Sequence, residues 1–91
     1  RDFAFITDVV AANIAAATAP AEACAGKAYN VAGGSERSLL EMLDILREIL
    51  EVDIAAVHVD PRPGDVKHSF ADTSAAKADL GWQPTIDFTE G

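Results

Sequence analysis

Alanine supplies 18 of the 45 apolar residues in this 91-residue chain, and this limits the core that the chain can build. An alanine side chain buries little area, so only 27 residues carry the larger apolar groups whose burial stabilises a fold. A chain of this length suffices for one domain, and small domains bury a smaller fraction of their surface than large ones. The composition therefore predicts one small domain with a thin core, as expected for a piece of a larger protein.

The charge balance excludes some classes of partner. Fifteen acidic and seven basic residues give a formal net charge of -8, which repels nucleic acid backbones and anionic lipid surfaces. The longest apolar stretch, residues 9–19, is shorter than the roughly 20 residues of a membrane span. We therefore expect no nucleic acid and no membrane as partners. The one cysteine, Cys24, cannot form an internal disulfide, which favours a reducing compartment and a cytoplasmic location.

Short strands are predicted between the helices, which gives an α/β fold class. Alternating apolar residues and flanking turn residues predict strands within residues 1–7 and 27–32. Residues 54–59 are β-prone, and residues 68–71 are expected to be extended. Residues 21–26, which follow a proline, are predicted to form a loop.

About three helices are predicted, and the first of them is rich in alanine. The first spans residues 8–19, with Thr7 and Asp8 offering side-chain oxygens to the free N–H groups at its start. The last runs from about residue 73 to Leu80 and ends at Gly81, because glycine readily adopts the left-handed conformation found past a helix end.

The strongest helix signal is the capping box Ser38-Leu39-Leu40-Glu41. The apolar residues that follow it recur every three or four positions, while charged residues occupy the other side. Such a stripe predicts a helix that packs on a sheet or on another helix.

The motifs of a complete enzyme are missing. No Gly-rich phosphate loop follows a strand, and no tyrosine stands four residues before a lysine, so no catalytic and no cofactor-binding residue is predicted. Tyr29 is interpreted as a core residue. The two histidines, His58 and His68, are too scattered to predict a metal site, which needs three or four converging ligands.

The segment Pro61-Arg62-Pro63-Gly64-Asp65 is the most informative loop. The two prolines restrict the backbone around Arg62, and a preorganised guanidinium can give a phosphate two parallel hydrogen bonds. Asp65 could accept hydrogen bonds from hydroxyl groups such as those of a ribose. An equally good interpretation is a tight turn in which Arg62 and Asp65 pair with each other or with Arg1 and Asp2.

The order of short motifs along the chain carries a resemblance to a known family. These motifs are RDFAFITDVV at 1–10, YNVAGG at 29–34, SLLE at 38–41, RPGD at 62–65, ADTS at 71–74 and LGW at 80–82. Together they resemble the C-terminal portion of the extended short-chain dehydrogenase/reductases. Within that family the chain looks most like the NAD-dependent nucleotide-sugar epimerases and dehydratases, of which the UDP-glucose 4-epimerases are a familiar group.

The resemblance implies a role for the whole chain. Residues 1–91 would form a single small mixed α/β lobe that binds substrate, truncated at both ends, without the N-terminal Rossmann domain that binds NAD. NAD would be the cofactor of the parent enzyme, and this chain alone would bind none and would be inactive. By resemblance, Arg1 and Arg62 match arginines that contact the substrate diphosphate, Asp65 matches an acid near the nucleotide ribose, and Asp8 matches a helix-start acid.

Three functional hypotheses follow. In the first, the chain binds a nucleotide diphosphate sugar for an epimerase or dehydratase. In the second, it is a stand-alone, non-catalytic module derived from this lobe, whose apolar faces mediate self-association or a partner contact. In the third, it belongs to an extended reductase that acts on small ketones, and Arg1 and Arg62 argue against this one.

Overall fold

The computed structural model describes residues 1–91 and contains four helices. They are α1 (Ile6–Thr18), α2 (Ala21–Cys24), α3 (Leu39–Leu50) and α4 (Ser74–Leu80). The three predicted helices therefore form, while the predicted loop at 21–26 contains the single helical turn α2. No helix is long and apolar enough to cross a membrane.

The short strands are the main correction to the predicted fold. None forms at residues 1–7, 27–32, 54–59 or 68–71, and the only β contact is an isolated antiparallel bridge between Asp2 and Glu36. A strand requires a neighbouring backbone that exchanges hydrogen bonds with it, and apolar alternation along one segment does not reveal where that neighbour lies. Within this chain, only the bridge between Asp2 and Glu36 provides such a neighbouring backbone.

Helix α1 begins two residues before its predicted start. The residue preceding it is Phe5, and no side chain caps its N-terminus. Asp8 lies in the first turn and is 4% exposed, with its carboxylate directed at the backbone of Thr85 and Ile86 rather than at the helix start. The capping role predicted for Asp8 is therefore wrong, because its carboxylate accepts hydrogen bonds from the distant N–H groups of Thr85 and Ile86.

Helix α3 confirms the capping box. The Glu41 N–H donates to the Ser38 hydroxyl at 3.1 Å, and the Ser38 N–H donates to the Glu41 carboxylate at 2.7 Å. This reciprocal pair satisfies donors that the first turn of a helix leaves free. The geometry of the cap thus follows directly from the local sequence.

The packing predicted for α3 is not found. The main helix contacts join α1 and α2 to α4, and α3 lies beside irregular segments at the two ends of the chain. Several large apolar side chains of α3 remain at least two-fifths exposed: Leu39, Leu40, Leu46, Ile49 and Leu50. The apolar stripe therefore faces chain termini and solvent instead of a sheet or a second helix.

The core is as thin as the composition predicts. Its buried centre consists of Ala12, Ala76 and Trp82, and the partly buried residues packed on it are Ala15, Tyr29, Val31 and Leu80. The molecule measures 51 × 32 × 16 Å, so one layer of helices against a few segments makes up its whole thickness. Since Trp82 is the one large side chain at the centre, it holds α1, α4 and the C-terminal segment together.

Candidate functional site

The long loop between α3 and α4 carries two of the three predicted site residues, Arg62 and Asp65. Every residue from 52 to 70 is exposed. We call this segment the anion loop. Three side-chain contacts attach it to the rest of the chain: Arg47 Nε donates to the Ile54 carbonyl at 2.5 Å, the Arg1 guanidinium donates to the Val66 carbonyl, and His68 Nδ1 lies 2.8 Å from the Glu36 carboxylate.

Arg62 and Asp65 form a turn at the tip of the anion loop. The Asp65 N–H donates to the Arg62 carbonyl at 3.2 Å, and Gly64 between them adopts a positive φ of 83° that suits glycine. Their side chains approach only to 4.0 Å, and the Arg62 side chain remains 88% exposed. The predicted pairing of Arg62 with Asp65 is thus present, but a loose surface ion pair of this kind contributes little and leaves the guanidinium accessible.

Arg1 is held against the same loop. Its backbone nitrogen donates to the Arg37 carbonyl at 2.8 Å, and the Arg37 N–H donates to the Arg1 carbonyl at 2.7 Å. This pairing of backbones directs the Arg1 side chain to Val66, the residue after Asp65. The structure therefore brings Arg1 to the base of the turn that carries Arg62 and Asp65.

Both basic and acidic residues lie in and around the anion loop. Four of the seven basic residues lie in it or contact it, namely Arg1, Arg47, Arg62 and Lys67, and the loop also contains Asp53, Asp60 and Asp65. Arg37 pairs with the backbone of Arg1. Sequence reasoning missed Arg37 because its position depends on the pairing of two segments 36 residues apart. The Arg37 Nε is buried without a hydrogen-bond partner, as is one carboxylate oxygen of Asp2. In a chain of net charge -8, an anion-binding role of this loop would rest on individual guanidinium groups and not on a positively charged surface.

A second group of contacts surrounds Asp8, away from the anion loop. Its carboxylate accepts hydrogen bonds from the Thr85 N–H at 3.1 Å, the Thr85 hydroxyl at 2.9 Å and the Ile86 N–H at 3.0 Å. The hydrogen bond from the Ile86 N–H contributes most to lowering the pKa of Asp8, and burial opposes it. With every oxygen engaged inside the protein, Asp8 stabilises the fold and is not placed to bind a ligand.

Tyr29 lies half-buried against the core, as predicted, and its hydroxyl bonds to α4. The hydroxyl donates to the Asp79 carboxylate at 2.7 Å, and Lys27 Nζ donates to the same carboxylate at 3.2 Å. Burial, followed by the hydrogen bond and charge of Asp79, raises the pKa of Tyr29 to about 12. The hydrogen bonds from Tyr29 and Lys27 in turn lower the pKa of Asp79. A tyrosine held protonated in this way acts as a structural donor.

A cavity lies elsewhere, between α3 and the two chain ends. It measures about 400 Å³ and is mostly apolar, with Met42, Ile45, Leu46 and Ile49 on the α3 side. Phe3 and Phe88 form part of the opposite wall, their ring centroids 5.1 Å apart. None of Arg1, Arg62 and Asp65 lines it. The cavity and the anion loop are separate features.

No group of three or more histidine, cysteine, aspartate or glutamate residues converges in a way that could hold a metal ion. His58 is exposed in the anion loop, and His68 is engaged with Glu36. Cys24 is a free thiol whose Sγ lies 3.5 Å from the Pro20 carbonyl. Outside the core, polar side chains therefore cluster at the Lys27, Tyr29 and Asp79 group and in and around the anion loop.

Comparison with known proteins gives consistent relatives. The family model for GDP-mannose 4,6 dehydratase matches residues 1–91. A UDP-glucose 4-epimerase of Bacillus subtilis is 30% identical over 83 residues, which cover 91% of this chain and 24% of that protein. A dTDP-glucose 4,6-dehydratase of Haemophilus influenzae is 33% identical over 104 residues, covering 100% of this chain and 30% of that protein. The chain thus spans less than a third of the length of these relatives.

A solved structure agrees with the sequence comparisons. The crystal structure of UDP-glucose 4-epimerase with UDP-glucose from Thermotoga maritima superimposes with a TM-score of 0.90 at 33% identity. The match covers 100% of this chain and 28% of that one. The match shows that a Rossmann-type enzyme contains this fold as part of its chain. It also confirms the resemblance drawn from the motifs. The chain belongs to the GDP-mannose 4,6 dehydratase family, among the nucleotide-sugar epimerases and dehydratases of the extended short-chain dehydrogenase/reductases.

Proposed function

We propose that this chain is the nucleotide-sugar-binding portion of an NAD-dependent sugar epimerase or dehydratase. Arg1 and Arg62 bind the diphosphate, and Asp65 accepts a hydrogen bond from a hydroxyl of the nucleotide ribose. The observation that carries the proposal is the accessible guanidinium of Arg62, 88% exposed on a turn whose base is contacted by the Arg1 guanidinium. A guanidinium offers a phosphate two parallel hydrogen bonds, and two of them match the two phosphates of a nucleoside diphosphate.

The loose pairing of Arg62 with Asp65 supports this role. At 4.0 Å the two side chains make no close ion pair, so an incoming phosphate does not have to break a strong interaction. The same turn keeps Asp65 within three residues of Arg62, which places an acceptor for hydroxyl groups next to a donor for phosphate. A diphosphate joined to a ribose presents these two chemistries side by side.

The cofactor of the family, NAD, does not fit the residues of this chain. A dinucleotide site needs glycines that let the backbone approach the pyrophosphate. Gly33 is the glycine of this chain that lies closest to another backbone segment. The space that a Cβ would occupy there is already filled by the Phe3 carbonyl and by Asp2. We propose that NAD binds outside residues 1–91, and that the chain contributes by holding the sugar in position rather than by transferring hydride.

Calorimetric titration with UDP tests this proposal. The unaltered protein should bind UDP saturably, and Arg62→Ala should weaken binding by about 10- to 100-fold, because a charge-assisted hydrogen bond to phosphate is lost. Lys77→Ala is the matched control, since Lys77 is an exposed cation of α4 without a partner. An unaltered protein that fails to bind UDP, or equal weakening by both substitutions, would contradict the proposal.

One observation favours a second candidate function, a non-catalytic module that associates with itself. Several large apolar residues of α3, among them Leu46 and Ile49, are at least two-fifths exposed, and an exposed apolar patch can serve as an association surface. In that case light scattering should detect a dimer whose fraction rises with concentration and which Ile49→Asp abolishes. Absence of UDP binding together with such a dimer would favour this candidate over nucleotide-sugar binding.

A further inference from the structure

The anion loop has few attachments to the rest of the protein, and they lie near its ends. Between Ile54 and Val66 its only hydrogen bond and ion pair join Arg62 with Asp65 inside the loop itself. A segment of exposed residues without contacts to a rigid element has a broad range of conformations. What holds Arg62 in place must therefore act at the residues that flank the turn.

Two contacts attach the C-terminal side of the loop to the same short stretch of chain. The Arg1 guanidinium donates to the Val66 carbonyl, and two residues later His68 Nδ1 lies 2.8 Å from a Glu36 carboxylate oxygen. Glu36 is itself fixed by its bridge to Asp2, the neighbour of Arg1. Both contacts therefore come from the two segments that the Asp2–Glu36 bridge joins. Lys67 lies between the two contacted residues, Val66 and His68.

We propose that Glu36 and His68 are positioning residues that hold the anion loop so that Arg62 and Arg1 can engage one diphosphate. This proposal rests on the proposed function and adds to it two residues that touch no ligand themselves. The Glu36–His68 contact removes conformations of the loop in which Arg62 points away from Arg1. Part of the ordering of Arg62 is then achieved before the ligand arrives, which lowers the entropy lost on binding.

The exposure of the Glu36 and His68 side chains limits how strongly their contact can change the affinity for UDP. The side chain of His68 is 76% exposed and that of Glu36 is 40% exposed, so the contact is a surface interaction of modest strength. Its loss should change the affinity for UDP by about two- to five-fold. It should leave the thermal midpoint of unfolding almost unchanged, because neither residue packs in the core.

Calorimetric titration with UDP, on the protein as its gene encodes it, tests the pair. Glu36→Ala and His68→Ala should each weaken binding by about two- to five-fold, and the double variant should weaken it no further. His68→Asn, whose amide nitrogen can replace Nδ1 as a donor, should restore most of the affinity. The matched control is His58→Ala, since His58 is an exposed histidine of the same loop without a side-chain hydrogen bond.

A cycle with Arg62 separates positioning from general stability. If the pair acts through Arg62, then Glu36→Ala should cause no additional loss of UDP affinity in an Arg62→Ala background. An equal loss in both backgrounds would overturn the positioning role. Unchanged affinity of Glu36→Ala in a protein that binds UDP would overturn it as well.

Limited trypsin digestion tests the attachment without any ligand. Cleavage after Lys67, which lies between the two contacts, should be about two- to five-fold faster in Glu36→Ala than in the unaltered protein. Equal cleavage rates would overturn the proposal that the pair restrains the loop. If the unaltered protein binds no UDP, the proposed function fails, and the cleavage rate still decides whether Glu36 and His68 restrain the loop.

Discussion

The indole Nε1–H of Trp82 donates a 2.9 Å hydrogen bond to the backbone carbonyl of Asp8, so residues 74 positions apart hold α1 against the segment after α4. Both residues are buried in a molecule with very few buried residues. The stability of the fold therefore depends on this contact more than it would in a protein with a larger core.

Trp82→Phe should lower the free energy of unfolding by about 0.5–1.5 kcal/mol, because it removes the hydrogen bond while keeping an aromatic ring. Trp82→Ala should lower it by about 3–5 kcal/mol, because the centre of the core becomes a cavity. Urea denaturation followed by circular dichroism measures both values. Phe70→Ala, at an aromatic residue that is 61% exposed, is the control and should have an effect below about 0.5 kcal/mol.

The stability should fall in acid because of Asp8. Hydrogen bonds to its ionised carboxylate, above all from the Ile86 N–H, lower its pKa from the ordinary value of 3.8. The folded state therefore binds this proton less tightly than the unfolded state, so the stabilisation is present above pH 3.8 and is lost as the pH falls through the lower, folded value.

Asp8→Asn should consequently be less stable at neutral pH and should lose less stability than the unaltered chain as the pH falls below 3.8. Denaturation midpoints across this range provide the measurement. Asp53→Asn, at an exposed aspartate without a side-chain hydrogen bond, removes the same charge and serves as the control. Parallel pH profiles for Asp8→Asn and the unaltered chain would contradict the prediction.

Tyr29 should ionise only at about pH 12, because burial and the neighbouring Asp79 disfavour its phenolate. Its raised pKa means that the stabilisation is complete below pH 10.0, the ordinary tyrosine value, and is lost as the pH rises toward 12. Tyr29 is the only tyrosine of the chain, so an ultraviolet titration reports it alone. Asp79→Asn should move the midpoint downward by part of the shift, since burial remains. A midpoint at 10.0 in the unaltered chain would show that Tyr29 is not held as described.

Gly33→Ala should destabilise the protein by about 1–3 kcal/mol or more, because a Cβ at this position would overlap the Phe3 carbonyl oxygen. The same close approach lets the Gly33 N–H donate to Asp2 at 2.7 Å, next to the bridge that fixes Arg1. Gly26→Ala is the comparison, since nothing lies within 4 Å of its Cβ position and only its positive φ of 75° opposes the substitution. Thermal denaturation should rank Gly33→Ala as the more damaging change.

Local sequence was sufficient to predict three of the four helices, and most of their ends depend on neighbouring residues. The Ser38 and Glu41 side chains close the first turn of α3 by themselves, and Gly81 adopts the left-handed conformation with φ 66° that ends α4. The thin core followed from the number of alanines. The family followed from the order of short motifs, which is a property of the sequence alone.

The candidate site could be predicted only in part. Arg62 and Asp65 were identifiable because the prolines and the glycine around them are adjacent in sequence. The contact of Glu36 with His68 and the pairing of Arg37 with Arg1 were not identifiable, because they depend on which segments lie side by side. The same reason accounts for the error at Asp8, whose carboxylate finds its donors 77 and 78 residues away.

The sequence by itself thus determined three of the four helices, the limit on the core and the family, since capping, burial capacity and motif order are local or additive properties. Only the tertiary structure decided that the alternating segments form no strands, that Arg1 reaches the base of the anion loop, and that the apolar stripe of α3 faces the chain ends. Each of these outcomes depends on hydrogen bonds and contacts between residues far apart in the chain, for which a single sequence carries no local signal.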